Sequence, residues 1–171
     1  AIVNGGTGSA TQNFVDLTTT QTVAGAKTFS SDLTVNGITV GKGGGSTTNT
    51  ANGKSALYSN TSGWRNTATG YEALKANTTG LANTATGHRA LVLNTTGKHN
   101  TANGVDVLTE NTTGSYNTAL GYGANVSTHN LSNAMAIGYG ATVSASNKVR
   151  IGNSSVTVIE GEVAWTSVSD G

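Results

Sequence analysis

The chain has no cysteine and no proline, a single methionine, and only 10% charged and 5% aromatic residues. Without cysteine no disulfide can staple the fold, and the absence fits an extracellular protein that avoids thiol chemistry. Nine Lys and Arg against eight Asp and Glu leave a net charge of +1 with no basic cluster, which disfavours nucleic acid as a partner. No apolar run approaches the roughly 20 residues that span a bilayer, so no membrane insertion is expected. Residues 1–20 lack a signal-peptide pattern, and the start at Ala1 is the one expected of a processed or excised chain. Sparse charge beside 35% hydrophobic residues argues against a highly charged disordered chain.

Catalytic constellations are also missing. The few carboxylates are scattered between Asp16 and Asp170, and no Ser-His-Asp or paired-carboxylate arrangement emerges, so no enzyme is expected. His88, His99 and His129 share no i, i+4 spacing and have no adjacent carboxylates. A metal site within one chain is therefore not expected, and no cofactor is implied. Gly41 to Gly45 is not followed by a Lys-Ser/Thr helix start, so it reads as linker rather than phosphate loop.

What is present is small, polar and repetitive. Gly (24), Thr (30) and Asn (19) make up 73 of 171 residues. Thr and Val suit pleated strands, Asn and Gly suit tight turns, and helix formers are scarce, so the class is all-β. Asn49-Thr50-Ala51-Asn52-Gly53 recurs every 17 residues, at Asn66, Asn83, Asn100 and Asn117. A divergent sixth copy is Ala134-Met135-Ala136-Ile137-Gly138, and a step of 14 then leads to Ile151-Gly152. Each full copy carries a small residue and Leu (Ala56-Leu57, Ala73-Leu74, Ala90-Leu91, Val107-Leu108), then a turn such as Asn77-Thr78-Thr79-Gly80. The turn explains these Asn-Thr-Thr triplets fully, although they match the N-glycosylation pattern.

A fixed short period means stacked coils, a solenoid. Two short strands and two turns per coil are expected, with coils about 4.8 Å apart and Asn side chains hydrogen-bonding along the stack. One Leu and two Ala per coil bury little, and at about 25 cal/mol per Å² the gain barely offsets backbone ordering. Burial between chains must supply the rest, so an obligate oligomer is expected.

Five segments follow. Residues 1–13 read as flexible leader and 14–42 as a β-hairpin trimerisation region. Residues 43–48 form a Gly-rich hinge, 49–152 the repeat array, and 153–171 C-terminal strands. In Leu33-Thr34-Val35-Asn36-Gly37-Ile38-Thr39-Val40 the Asn-Gly pair predicts a type I′ turn pairing Val35 with Ile38, Thr34 with Thr39 and Leu33 with Val40. Phe29 and Val23 could join the same aliphatic cluster. Ser155–Ile159 and Val163–Val168 read as strands around Glu160-Gly161-Glu162.

The array, ending in Ala136-Ile137-Gly138-Tyr139-Gly140-Ala141, resembles the head repeats of trimeric autotransporter adhesins over residues 47–152. That resemblance implies a left-handed parallel β-roll three chains wide, with intertwined flanks. The family step is nearer 14, so coils of 17 imply a longer loop on one side; stalk heptads are absent. Gln21–Phe29 followed by Leu33–Gly37 is similar to segments of phage tail fibres. Trp165–Gly171 is similar to the junction before a tail-fibre intramolecular chaperone, which would make Ser169 the processing-site serine. The reading is a homotrimeric attachment fibre of a phage or phage-derived particle, extracellular, with a cell-surface glycan or protein as receptor. A bacterial surface adhesin is the alternative of the same fold, and a structural spacer one of another class. Regular Thr columns also suggest an ice-binding solenoid, for which no thermal hysteresis is expected.

Two sets of residues are candidates for contact. Lys54, Tyr71, His88, Val105, Tyr122 and Tyr139 follow the first glycine of each coil and would stack in a column. Their aromatics suit sugar rings, or simply form a ladder that stabilises the roll. The pairs after the turn glycine vary most: Trp64-Arg65, Leu81-Ala82, Lys98-His99 and Ser115-Tyr116. Variable residues at fixed loop tips are where a solenoid carries specificity; a solvated loop edge is the plainer reading. Trp64, Arg65, Tyr71, His88, Lys98, His99 and Tyr116 are the candidate binding residues.

Overall fold

A strand whose middle residue is Ala and whose neighbours are Thr can bury only one side chain, so each coil contributes a single inward Ala from its strand. The computed structural model describes residues 33–35, 38–44 and 48–159. These hold β1 (Leu33–Val35), β2 (Ile38–Gly41), β3 (Thr50–Gly53), β4 (Thr67–Thr69), β5 (Thr84–Thr86), β6 (Thr101–Asn103) and β7 (Thr118–Leu120). They continue with β8 (Asn125–Val126), β9 (Met135–Ile137), β10 (Thr142–Val143) and β11 (Val149–Ile151), and no helix occurs among the described residues. The fold is all-β, a parallel solenoid of about six turns. Its main sheet has nine strands, ordered β1-β2-β3-β4-β5-β6-β7-β9-β11.

The sheet reproduces the sequence register. Ala51 pairs with Ala68, Ala68 with Ala85, Ala85 with Ala102 and Ala102 with Ala119. Ala119 then pairs with Ala136, and Ala136 with Arg150 after the expected shorter step. The hairpin register is also as read: Leu33 with Val40, Thr34 with Thr39, Val35 with Ile38. β2 then runs antiparallel to β3, with Val40 opposite Asn52, so the hairpin covers the first edge of the solenoid. In the segment read as a hinge, Gly43 and Gly44 lie against the first coil. A Cβ on Gly43 would sit 2.6 Å from that of Leu57.

One expectation needs correcting. Only one strand per coil forms in the first four coils; the second strand appears only as β8 and β10, paired in parallel. The reason lies in side-chain alternation. Ala73 and Leu74 are neighbours and both fully buried, which a pleated strand forbids because consecutive side chains point to opposite faces. The chain resolves this by a left-handed kink at each leucine: Leu57, Leu74, Leu91 and Leu108 have φ of 51°, 51°, 53° and 50°. Such a kink costs roughly 1–2 kcal/mol, while a fully buried Leu gains about 1.5–3 kcal/mol. Burial wins narrowly. Where Ala124-Asn125-Val126 and Ala141-Thr142-Val143 replace the pair, inward and outward residues alternate and a strand forms.

The remaining core is polar. Asn49, Asn66, Asn83, Asn100 and Asn117 form one buried column, and Asn60, Asn77, Asn94 and Asn111 another. In the first column each Oδ1 accepts the backbone N–H of the next coil's equivalent residue, from Asn66 onto Asn49 at 2.9 Å to Ala134 onto Asn117 at 3.0 Å. In the second, Asn77, Asn94 and Asn111 donate Nδ2 to the Oδ1 one coil earlier at 2.8, 2.9 and 2.9 Å. No buried side-chain polar atom among the described residues lacks a partner. Each turn also clamps the next: the N–H groups of Thr78, Thr79 and Gly80 all donate to the Thr95 carbonyl.

Candidate functional site

The variable residues lie on two edges of the column, one at each end of the strand. The edge after the strand is held in register by backbone bonds such as Arg89 N–H to Tyr71 O at 2.8 Å and Asp106 N–H to His88 O at 2.9 Å. On it Tyr71 stacks on His88, with ring centroids 5.2 Å apart, and Tyr122 on Tyr139 at 5.7 Å. These separations are close to the strand spacing of about 4.8 Å, so stacking follows from register. Val105 interrupts the column, and the aromatic ladder is two separate pairs.

Charge on this edge is mostly paired, and no described ion pair engages Lys54. Arg89 Nη1 lies 3.2 Å from Asp106 Oδ1, and His88 Nδ1 3.9 Å from the same oxygen. Asp106 sits one coil beyond Arg89 and so beside His88, a neighbour that adjacency in the sequence does not show. The separation of 17 from Arg89 was the available signal. In the second coil Lys75 Nζ meets Glu72 Oε1 at 2.6 Å. That hydrogen bond holds the Glu72 carboxyl below its ordinary value and raises the Lys75 ammonium above its own.

The edge before the strand has a different character. It carries Trp64-Arg65, Leu81-Ala82, Lys98-His99 and Ser115-Tyr116 in successive coils. Backbone bonds from Ala82 N–H to Trp64 O (2.9 Å), His99 to Leu81 (3.0 Å) and Tyr116 to Lys98 (2.9 Å) fix its register. The Arg65 guanidinium lies over the Trp64 ring, 4.5 Å from the centroid, and His99 stacks on Tyr116 at 5.1 Å with 8° between planes. Trp64 is 40% exposed and Tyr116 62%. Of the seven candidate binding residues, five gather here, while Tyr71 and His88 belong to the other edge. Ser169 lies outside the described residues, as do Val23, Phe29 and the strand read over Val163–Val168. Residues 156–159, read as the end of a strand, carry no strand pairing.

Among the described residues no three His, Cys, Asp or Glu side chains converge on a point that could hold a metal ion. No described helix is long and apolar enough to cross a membrane. The two edges present stacked rings, a few cations and polar loop tips. No family model, no curated protein and no solved structure matches this chain.

Proposed function

We propose that the protein is a segment of a homotrimeric attachment fibre, its coils forming a left-handed roll. The observation that carries this reading is the division of labour within the coil. The buried positions repeat mainly as Ala, Leu or Asn, with Val at Val107, Val126 and Val143 and Gly in the turns, whereas Trp64-Arg65 to Ser115-Tyr116 vary on an edge locked in register. A rigid rod with variable exposed tips is a display device, and weak single contacts are strengthened when three chains repeat them. The trimer is supported by the thin core and by the apolar end of the column. Leu120, Val149, Ile151, Val156, Val158 and Ile159 are exposed there on a single chain, and burial between chains would remove them from water.

The placement on a phage or phage-derived particle, outside the cell, rests on the likeness of the flanks to tail fibres; a bacterial surface adhesin shares the architecture. Light scattering on the purified chain tests the assembly, with three chains expected and a monomer ending the reading. Binding to whole cells and to a glycan array tests attachment. A spacer would bind neither.

A further inference from the structure

We infer that the edge before the strand is a subsite for a carboxylate-bearing glycan, seated in a notch over Ala82 between Arg65 and His99. This rests on the attachment reading and names its ligand class. Arg65 and Ala82 occupy equivalent places in successive coils, as do Ala82 and His99. Two coil steps therefore separate the guanidinium level from the imidazole level, about 9–10 Å at the strand spacing. Ala82, the smallest residue in the column, leaves a gap between two larger side chains. Such a gap is the height of one sugar ring.

Charge distinguishes this edge from its opposite. Across the strand, Arg89 pairs with Asp106 and Lys75 with Glu72, so that two of the three cations there meet a carboxylate and Lys54 alone has no described ion pair. Here the paired coils carry Arg65, Lys98 and His99 and no carboxylate, and no described ion pair engages Arg65 or Lys98. Arg65 is moreover held by the Trp64 face, at 4.5 Å, which fixes a planar fork of donors without consuming them. A preorganised guanidinium is matched to a planar carboxylate, which it binds through two parallel hydrogen bonds. Lys98 adds a second cation one coil beyond Leu81, and the exposed Trp64 and Tyr116 rings offer faces to a saccharide. A neutral glycan would leave these cations unused, while a duplex nucleic acid would demand a longer basic track than Arg65 and Lys98 provide.

The test uses the purified full chain and calorimetric titration with an oligogalacturonate, a sialylated oligosaccharide, and the carboxyl-reduced form of each. Binding of at least one carboxylate form is expected, with the reduced form at least tenfold weaker. Arg65→Gln should lower affinity at least tenfold, and Lys148→Gln, a surface cation on another coil, should not change it. Deleting residues 66–82 removes one whole coil, so Arg65 and His99 come onto adjacent coils and the notch closes with every charge of the site retained. That variant, checked for fold by circular dichroism, should lose binding as Arg65→Gln does. Retained affinity in Arg65→Gln or in the deletion would overturn the subsite. Equal binding of the reduced saccharides would overturn it while leaving glycan attachment standing. Cell binding without any saccharide binding would overturn it in favour of a protein receptor, and no cell binding would remove the attachment reading as well. Equally tight binding of dextran sulfate and duplex DNA would reduce the edge to a general polyanion surface and overturn the proposal.

Discussion

Asn83 shows how much one side chain does in this column. Its Oδ1 accepts the buried Asn100 N–H at 2.9 Å, while its Nδ2 donates to Gly97 O at 2.8 Å and Asn66 Oδ1 at 3.2 Å. Asn83→Ala strands the Asn100 N–H in the interior and leaves a void. The expected cost is about 2–4 kcal/mol, read as a lower denaturant midpoint at unchanged slope. A loss below that range would mean that water enters the ladder. Ser55 illustrates the opposite sign. It stands at φ 61°, the conformation that Gly123 and Gly140 adopt at the same coil position with φ 64° and 61°. Ser55→Gly should relieve left-handed strain of roughly 1–2 kcal/mol, less the entropy that glycine loses on folding. The net expectation is a gain of about 0.5–1 kcal/mol, checked by thermal melting; a lower melting temperature would contradict it. Glu72 gives a pH signature. Its lowered pKa, caused first by the Lys75 hydrogen bond, contributes stability that is present above the ordinary glutamate value and fades as pH falls through the lowered one. The raised Lys75 contributes below the ordinary lysine value and loses that contribution as pH rises through the raised one. Both groups meet water, so the effect is small. Glu72→Gln should flatten both ends of the melting-temperature profile and lower its plateau slightly; an unchanged profile would show that the pair contributes nothing.

At the scale of the element, the strand and its glycine were the most legible parts of the chain. Thr-Ala-Thr reads directly as an outward, inward, outward strand, and the recurring glycine reads as a turn. The structure adds why only glycine fits. Gly87 has φ 130°, and a Cβ there would lie 2.6 Å from the Gly104 carbonyl carbon of the next coil. Each glycine thus sets the approach of its neighbour, a role that a turn assignment misses. Gly87→Ala should cost about 3 kcal/mol or more, combining overpacking with an unfavourable φ; a change below 1 kcal/mol in chemical denaturation would show that coils separate freely. The second strand was the least legible. Ala73-Leu74 reads as apolar strand, and only the knowledge that both side chains point inward shows that the backbone must kink at Leu74. Likewise, Arg89 and Asp106 look unrelated in sequence until register places them one coil apart. The candidate site was legible as columns of variable positions; its division into a paired edge and a cationic edge was not, because that depends on which side chains meet across coils.

For the whole molecule, stability is close to a sum over coils and their interfaces, and register is what keeps the sum intact. The strand pairings between coils, the two asparagine columns and the glycine contacts repeat at a separation of 17 from Asn49 to Asn117. Deleting residues 100–116 joins His99 to Asn117 and preserves every one of these relations. That variant should fold, melt cooperatively and form a column shorter by about 4.8 Å per chain, measurable by small-angle scattering. Deleting residues 101–116 removes one residue fewer and joins Asn100 to Asn117. Every side chain beyond the junction is then displaced by one place, which in paired strands turns buried positions outward. Asn117 would occupy the strand position of a threonine, and Ala119 would lose its alignment with Ala85. This variant should lose cooperative melting in the coils after the junction although it retains more of the chain. If both deletions were equally stable, the period would be incidental and the stack would be held by something other than its register.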